Sequence, residues 1–361
     1  MKRLRRRWRW FAVLAGVVCL AAVPAVVGAL PARARDVAPA DLAAAIVGST
    51  QPYSGYAEAS GRLGVPELGD LDAAAGLLSN QTKVRVWWLE PTAWRVDLLT
   101  NTGETDVYGD AAGTWTWDSE ARRVRRVDGT APVRLPTAAD VLPTALAQRL
   151  LAAAEPAELQ PLDAARVAGR SLPGVRIVPA SPASTIGHAD IWADADTGVA
   201  LRVKVVPRTT NVAGFETQFL EASLSAPSRD RVTFRRPDNV RTGRPQTDIV
   251  RQVATASPVK LPEELAGLTR GPGQMGAVAT YGSGFDVIGV VAVPGFAINQ
   301  AIPSTIPLVD RPWGGKARIV STSLVNAMAF EVDGFAYVLA GPVTVDELDR
   351  VAAVVHATEA A

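Results

Sequence analysis

The chain has 361 residues, an apolar fraction of 48% and a net charge of +1, since 37 lysines and arginines stand against 36 aspartates and glutamates. The length favours two domains, and the near-balanced charge argues against a nucleic-acid-binding protein, which would carry a basic excess. The one cysteine, Cys19, lies near the N-terminus and the two histidines are His188 and His356. These counts exclude disulfides and thiolate metal sites from the folded part and leave at most two histidines for a zinc or catalytic site.

The first 34 residues form a basic leader. Six basic residues lie between positions 2 and 9, and no charged residue occurs from Phe11 to Leu30. A basic stretch before an apolar run is the export pattern, and the positive charges stay in the cytoplasm. The apolar run is long enough to span a bilayer, while Ala32-Arg33-Ala34 has the small-x-small form of a cleavage site. The protein is therefore expected outside the cytoplasm, either anchored in the cytoplasmic membrane by this segment or secreted after cleavage.

An antiparallel meander is predicted next. A short helix is expected over 41–49, followed by a strand from Tyr53 and a loop over 63–78 that covers part of the fold. Residues 83–88 and 94–98 alternate as a hairpin, and residues 104–108 and 114–117 form a second one. Leucines at helical spacing predict a helix over 137–154, which Pro156 ends.

Tryptophans concentrated in these strands suggest a ligand site. Residues two apart on a strand share a face, and the other face of the first hairpin is charged, so one face should line an apolar interior. Trp115 and Trp117 share parity and are expected to join it, while the side taken by Trp192 is less determined. Either a packed core or an apolar cavity fits this pattern. The predicted ligand-binding residues are Val84, Val86, Trp88, Trp94, Val96, Leu98, Trp115, Trp117 and Trp192.

The stretch 190–203 reads as two strands around a tight turn. It carries the spacing Trp192-x-Asp194-x-x-Thr197-Gly198-x-x-Leu201-Arg202. This hairpin resembles a signature of the LolA/LolB-like lipoprotein-carrier superfamily, which includes RseB/MucB-type regulators.

The resemblance implies an α+β fold: a curved antiparallel half-barrel over residues 36–240, closed by covering helices around a cavity for acyl chains. A polar linker is predicted over 241–258 and a smaller α+β domain over 259–361. In that second domain, Asp333-Gly334 is a hairpin turn, and Thr344 with Glu347 forms a capping box that opens a helix. The spacing of this helix places Leu348, Val351, Ala352 and Val355 on one apolar face. The order of the two domains resembles the RseB/MucB layout.

The expected function is therefore binding rather than catalysis. The resemblance implies a lipid or acylated protein as partner, held by a carrier or by a regulator that contacts an anti-sigma factor or another envelope protein. Ser283 lies in Gly-Ser-Gly and has no histidine or aspartate placed to activate it. Gly271 to Gly276 matches G-x-G-x-x-G, but a strand follows it where a nucleotide site needs a helix. No metal, cofactor or nucleic acid is expected. An envelope hydrolase and a structural adhesion module remain as alternatives.

Overall fold

A computed structural model of the chain describes residues 32–64, 72–100, 103–129, 136–243, 257–272, 276–295 and 305–359. The predicted leader, apart from its last three residues, and most of the predicted linker lie outside these ranges. Within the described ranges, no helix combines the length and apolarity that a membrane crossing requires.

Twelve strands form one large open, curved sheet. Its order is β12-β6-β5-β4-β3-β2-β1-β11-β10-β9-β8-β7. Neighbouring strands run antiparallel except β12 and β6, which are parallel. The strands are β1 (Tyr53–Gly61), β2 (Gln81–Glu90), β3 (Ala93–Leu99), β4 (Glu104–Asp110), β5 (Gly113–Asp118), β6 (Arg123–Asp128), β7 (Leu159–Val167), β8 (Arg170–Ile177), β9 (Ile186–Ala193), β10 (Ala200–Pro207), β11 (Phe215–Ser223) and β12 (Arg241–Gly243).

Helices cover one face of this sheet, called here the inner face. These helices are α1 (Pro39–Val47), α2 (Asp72–Ser79) and α3 (Pro143–Ala153), with 3₁₀ turns at Ala138–Val141 and Pro156–Glu158. The short α4 (Arg229–Val232) lies on the opposite, outer face, where Arg231 lies over the Trp87 ring at 5.6 Å. Leu42 and Ile46 of α1 are fully buried in the same core cluster as Ile191 of β9. Two buried hydroxyls fasten the helical layer to the sheet: Thr144 donates to the Ala200 carbonyl at 3.1 Å and Thr217 to the Val141 carbonyl at 2.7 Å.

Two predictions of local structure are wrong in part. The stretch 63–78 was expected as a loop, but α2 occupies Asp72–Ser79, which is rich in alanine and leucine. The single helix expected over 137–154 is divided in two. Leu142 is extended, with φ −64° and ψ 139°, because the proline that follows disfavours a helical conformation for the residue before it.

A second, six-stranded sheet follows in the chain, with the order β15-β16-β20-β19-β18-β17. Its hairpin turn at Asp333 and Gly334 has φ of 50° and 79°, as that sequence predicts. The predicted apolar face of the helix Val345–Glu359, called α5, is confirmed, since Leu348, Val351 and Ala352 are fully buried. The elements here are β13 (Glu264–Leu265), β14 (Leu268–Thr269), β15 (Val278–Tyr281), β16 (Ile288–Pro294), β17 (Leu308–Asp310), β18 (Lys316–Ser321), β19 (Asn326–Val332), β20 (Phe335–Gly341) and α5 (Val345–Glu359).

The two sheets meet at a packed junction between the segment before β9 and the segments around β20. Thr185 donates its hydroxyl to the Leu324 carbonyl at 2.6 Å and its amide to the Pro342 carbonyl at 2.9 Å. Thr344 donates its amide to the Ala183 carbonyl at 2.8 Å. Leu324 itself is buried in the core cluster of the large sheet. The junction therefore combines backbone hydrogen bonds with a shared apolar contact.

Candidate functional site

The hairpin that carries the superfamily resemblance has a structural role. The Asp194 carboxylate accepts hydrogen bonds from the amide and the hydroxyl of Thr197, at 3.0 and 2.8 Å. Gly198 has a φ of +70°, and a side chain there would lie 2.1 Å from the Ala45 carbonyl oxygen of α1. The Ser49 hydroxyl donates to the Thr197 carbonyl at 2.6 Å. The signature therefore fixes a turn against the first helix, and only glycine fits at its tightest point.

Six of the nine predicted ligand-binding residues lie together on the inner face. The register pairs Val84 with Leu98, Val86 with Val96 and Trp88 with Trp94, as the parity of the hairpin predicts. The three valines are at most 1% exposed and belong to a core cluster with Leu142. The half-buried Trp88 and Trp94 stack with ring centroids 5.8 Å apart. This part of the inner face is a packed core with an aromatic edge.

Trp115 and Trp117 lie on the outer face, so the expectation that they join the first six is wrong. The register pairs Val96 with Val107 and Val107 with Thr116, so Thr116 shares the inner face with Val96. Trp115 and Trp117, on either side of Thr116, therefore point to the outer face. The reason is that the loop between β3 and β4 sets their register, and parity within one hairpin cannot reveal it. Trp192 pairs with Arg202, whose guanidinium lies over its ring at 5.3 Å, and the buried ring belongs to the same core cluster as the three valines.

The outer face carries a network of charged and aromatic side chains around Arg95. Its guanidinium donates to Asp97 at 2.5 Å and to Asp106 at 2.9 Å, and it lies over the rings of Trp87 and Tyr108. Asp97, Glu104 and Asp106 place carboxylate oxygens within 4.8 Å of one another. Because Arg95 already supplies a positive charge among them, this donor set fits an ion-pair network better than a metal centre.

Burial, and next the neighbouring Asp97 carboxylate, raise the pKa of Asp106 to about 7 from an ordinary value of 3.8. The unfolded chain therefore releases this proton near pH 4, whereas the folded chain keeps it up to about pH 7. The free energy of unfolding consequently decreases as the pH rises between these two values, because the folded state must then bury an ionised Asp106. We expect the free energy of unfolding to fall by about 2 kcal/mol more in the wild type than in Asp106→Asn between pH 5 and pH 8.

Urea unfolding at several pH values measures this difference directly. The comparison with the variant removes the contributions of the other titrating groups. One of these is His188, the pKa of which is lowered by burial. Asp110→Asn is the matched control on the same strand, because Asp110 is exposed. Parallel pH profiles for the wild type and Asp106→Asn would contradict the assignment.

An apolar cavity of about 190 Å³ lies at another part of the inner face. We call it the α3 cavity. Its walls come from α3 and the preceding 3₁₀ turn, from strands of the large sheet, and from two segments at the junction with the second sheet. It is lined by Leu63, Leu78, Pro136, Asp140, Val141, Leu146, Arg149, Leu150, Ile186, Val205, Phe215, Leu324, Val325 and Pro342.

The rim of the α3 cavity carries one ion pair. Arg149, whose side chain is 60% exposed, donates to the buried Asp140 at 2.7 Å. Asp140 also accepts hydrogen bonds from the amide and hydroxyl of Thr137. The carboxylate is therefore held by the chain itself, whereas the guanidinium has further donors that face solvent and could bind an anionic group. The cavity thus combines an apolar interior with a cationic rim.

None of the nine predicted residues lines the α3 cavity. The sequence pattern of α3 pointed to a buried face through Leu146 and Leu150, but nothing marked that face as part of a cavity. Phe215 and Leu324 come from distant positions, and their partnership depends on how the two sheets meet. Sequence reasoning could therefore have found the helix but not the site.

Comparison of the sequence with models of known protein families gave no match, and comparison with curated proteins gave none either. Among solved structures, the fold is similar to MucB, with 16% identity and a TM-score of 0.46 over 88% of this chain and 96% of that one. A structure of the Pseudomonas aeruginosa MucA/MucB complex matches with 17% identity and a TM-score of 0.47 over 87% and 95%. A LolA superfamily protein from Nitrosomonas europaea matches 55% of this chain and 99% of its own, with 8% identity and a TM-score of 0.25. At such identities and TM-scores the likeness concerns the fold alone and supports no conclusion about the family or the role of this chain.

Proposed function

We propose that this chain is an extracytoplasmic binding protein that holds the hydrocarbon chain of a lipid or of an acylated protein. The observation that carries the proposal is the α3 cavity, whose interior is formed almost wholly by apolar side chains. Its volume of about 190 Å³ is below the roughly 300 Å³ at which sites for drug-sized ligands begin, so it suits a single hydrocarbon chain better than a bulky ligand. Each buried methylene contributes about 0.8 kcal/mol to such binding.

The rim supports an amphiphile rather than a neutral hydrocarbon. Arg149 stands beside the opening with donors directed to solvent, so a carboxylate or phosphate head group would find a cationic partner there. An apolar chain inside and a charged head at the rim satisfy both parts of the site. The inner-face surface around Trp88 and Trp94, predicted from the sequence, remains a second candidate for the ligand because these rings are only half buried.

A regulatory role is favoured over a shuttle by the way the cavity is built. Leu324 and Pro342 lie beside the hydrogen bonds that join the two sheets, and both line the cavity. An occupant would therefore contact the junction directly and could change its geometry. We infer that another envelope protein responds to whether the α3 cavity is occupied. An anti-sigma factor is the partner that the sequence resemblance implies. The expected membrane anchor agrees with this role, since a shuttle must leave the membrane.

Mass spectrometry of the full chain, purified from its own host in mild detergent, tests the proposal. We expect a native mass larger than that of the chain by one amphiphile, and recovery of that amphiphile by organic extraction. A hydrolase would release a cleaved product when incubated with the extracted lipid, and an adhesion module would carry no lipid. A ligand-free native mass, together with failure to bind an added long-chain fatty acid, would contradict the assignment.

A further inference from the structure

Besides the basic leader, positive charge is concentrated in two stretches of the chain. Residues 122–128 and 229–243 contain nine arginines against three aspartates, an excess of six positive charges in a chain whose net charge is +1. More than a hundred residues separate the two stretches. We call them together the arginine patch. Neither stretch contributes to the α3 cavity.

The fold brings the two stretches together. The parallel pairing of β12 with β6 places Arg241 directly beside Arg123. The Arg241 amide donates to the Arg122 carbonyl at 3.0 Å, and the Arg122 guanidinium reaches the Asp238 carbonyl at 3.5 Å. Like charges on adjacent strands destabilise a sheet. Two arginines side by side at the sheet edge therefore repel each other, and an anionic surface that covers them would relieve this repulsion.

Aromatic rings lie beside Arg126 on the outer face of this sheet edge, whereas the Arg123–Arg241 pair lies on the opposite face of the same edge. Trp115 and Phe234 are half buried and stack with centroids 4.9 Å apart. Arg126 lies over the Trp115 ring at 4.6 Å and keeps 38% of its side chain exposed. Arg229 and Arg235 are 70% and 78% exposed, and each forms an exposed ion pair, with Glu90 and Asp230 respectively, that uses only part of its guanidinium donors. Guanidinium groups bind phosphate oxygens through paired hydrogen bonds, and tryptophans beside them are typical of surfaces at the membrane–water boundary.

We propose that the arginine patch binds the phosphate-bearing surface of an anionic lipid bilayer. A bilayer presents anionic groups continuously, so it meets arginines spread over two strands and a connecting segment without any matched spacing. An acidic protein segment would need a charge matched to the position of each arginine. This inference goes beyond the proposed ligand site and does not depend on it.

Hydrogen exchange of the full chain in lipid vesicles tests the proposal. The chain is reconstituted with phosphatidylcholine alone or with phosphatidylcholine containing phosphatidylglycerol. We expect amide exchange in 122–128 and 229–243 to slow by about ten-fold in the anionic vesicles only, and this protection to disappear in about 1 M salt, where charges are screened within a few ångströms. The triple substitution Arg235→Gln, Arg236→Gln, Arg241→Gln should lower the affinity of the patch for anionic vesicles by about 100-fold.

The matched control removes the same charge elsewhere. Arg62, Arg166 and Lys260 are exposed and lie outside the patch, so changing them to glutamine should leave the protection intact. Equal protection in neutral and anionic vesicles would overturn the proposal, and this arm uses the wild-type chain, so it does not depend on the folding of any variant. Stronger protection by polyglutamate than by anionic vesicles would also overturn it, because the partner would then be an acidic protein.

Discussion

Replacing Leu146 by tryptophan is expected to expel the ligand from the α3 cavity. Leu146 lies on α3, is half buried and lines the cavity, so a larger side chain can occupy the space without displacing a fully packed residue. If the indole takes the place of about four methylenes, the lost burial amounts to about 3 kcal/mol, or about 100-fold in affinity. Native mass spectrometry and titration with a long-chain fatty acid measure the loss.

Two controls locate the ligand. Leu268→Trp makes the same change at a half-buried leucine away from the cavity and should leave binding unchanged. Trp94→Glu tests the surface that the sequence predicted. Trp94 lies against Gly109, where a side chain would come within 2.1 Å of the ring, so this substitution should destabilise the sheet. The folded fraction of Trp94→Glu should still carry the lipid. Loss of lipid in Trp94→Glu but not in Leu146→Trp would move the ligand to the aromatic edge of the inner face.

Removing the Asp349 carboxylate is expected to destabilise the second sheet and its helix by about 3 kcal/mol. Asp349 is buried on α5 and accepts hydrogen bonds from Nε of Arg311 at 2.9 Å, from a second nitrogen of the same guanidinium, and from the Trp313 indole at 2.9 Å. The Arg311 side chain is only 18% exposed. Asp349→Ala would therefore leave a largely buried positive charge and an indole N–H without their acceptor.

Chemical denaturation of Asp349→Ala measures this effect, and Asp346→Ala is the matched control. Asp346 is exposed in the first turn of the same helix, where it interacts with the helix dipole and, without a hydrogen bond, with the charge of Arg311, so its loss should cost about 0.5 kcal/mol. Trp313 reports locally, because its ring packs against His356 and Phe330. If Asp349→Ala and Asp346→Ala were equally stable, the buried ion pair would not hold the hairpin between β17 and β18 to α5.

The sequence by itself determined the features that depend on neighbouring residues. The turns at Asp194–Gly198 and at Asp333-Gly334 follow from local hydrogen bonding and from positive φ. The pairing of Trp88 with Trp94 follows from alternation within one hairpin, and the buried face of α5 follows from helical spacing. The superfamily signature is readable for the same reason, since its residues build one turn and its contact with α1.

Only the tertiary structure decided the features that depend on distant parts of the chain. The face taken by Trp115 is set by the register between β3 and β4, which no alternation pattern carries across a loop. The α3 cavity exists because Phe215 and Leu324 are brought to the same helix by the junction of the two sheets. The arginine patch exists because β12 returns to pair with β6. The cavity and the patch each require the closure of a long stretch of chain, whose outcome is decided by the packing of the whole fold and not by the residues at its ends.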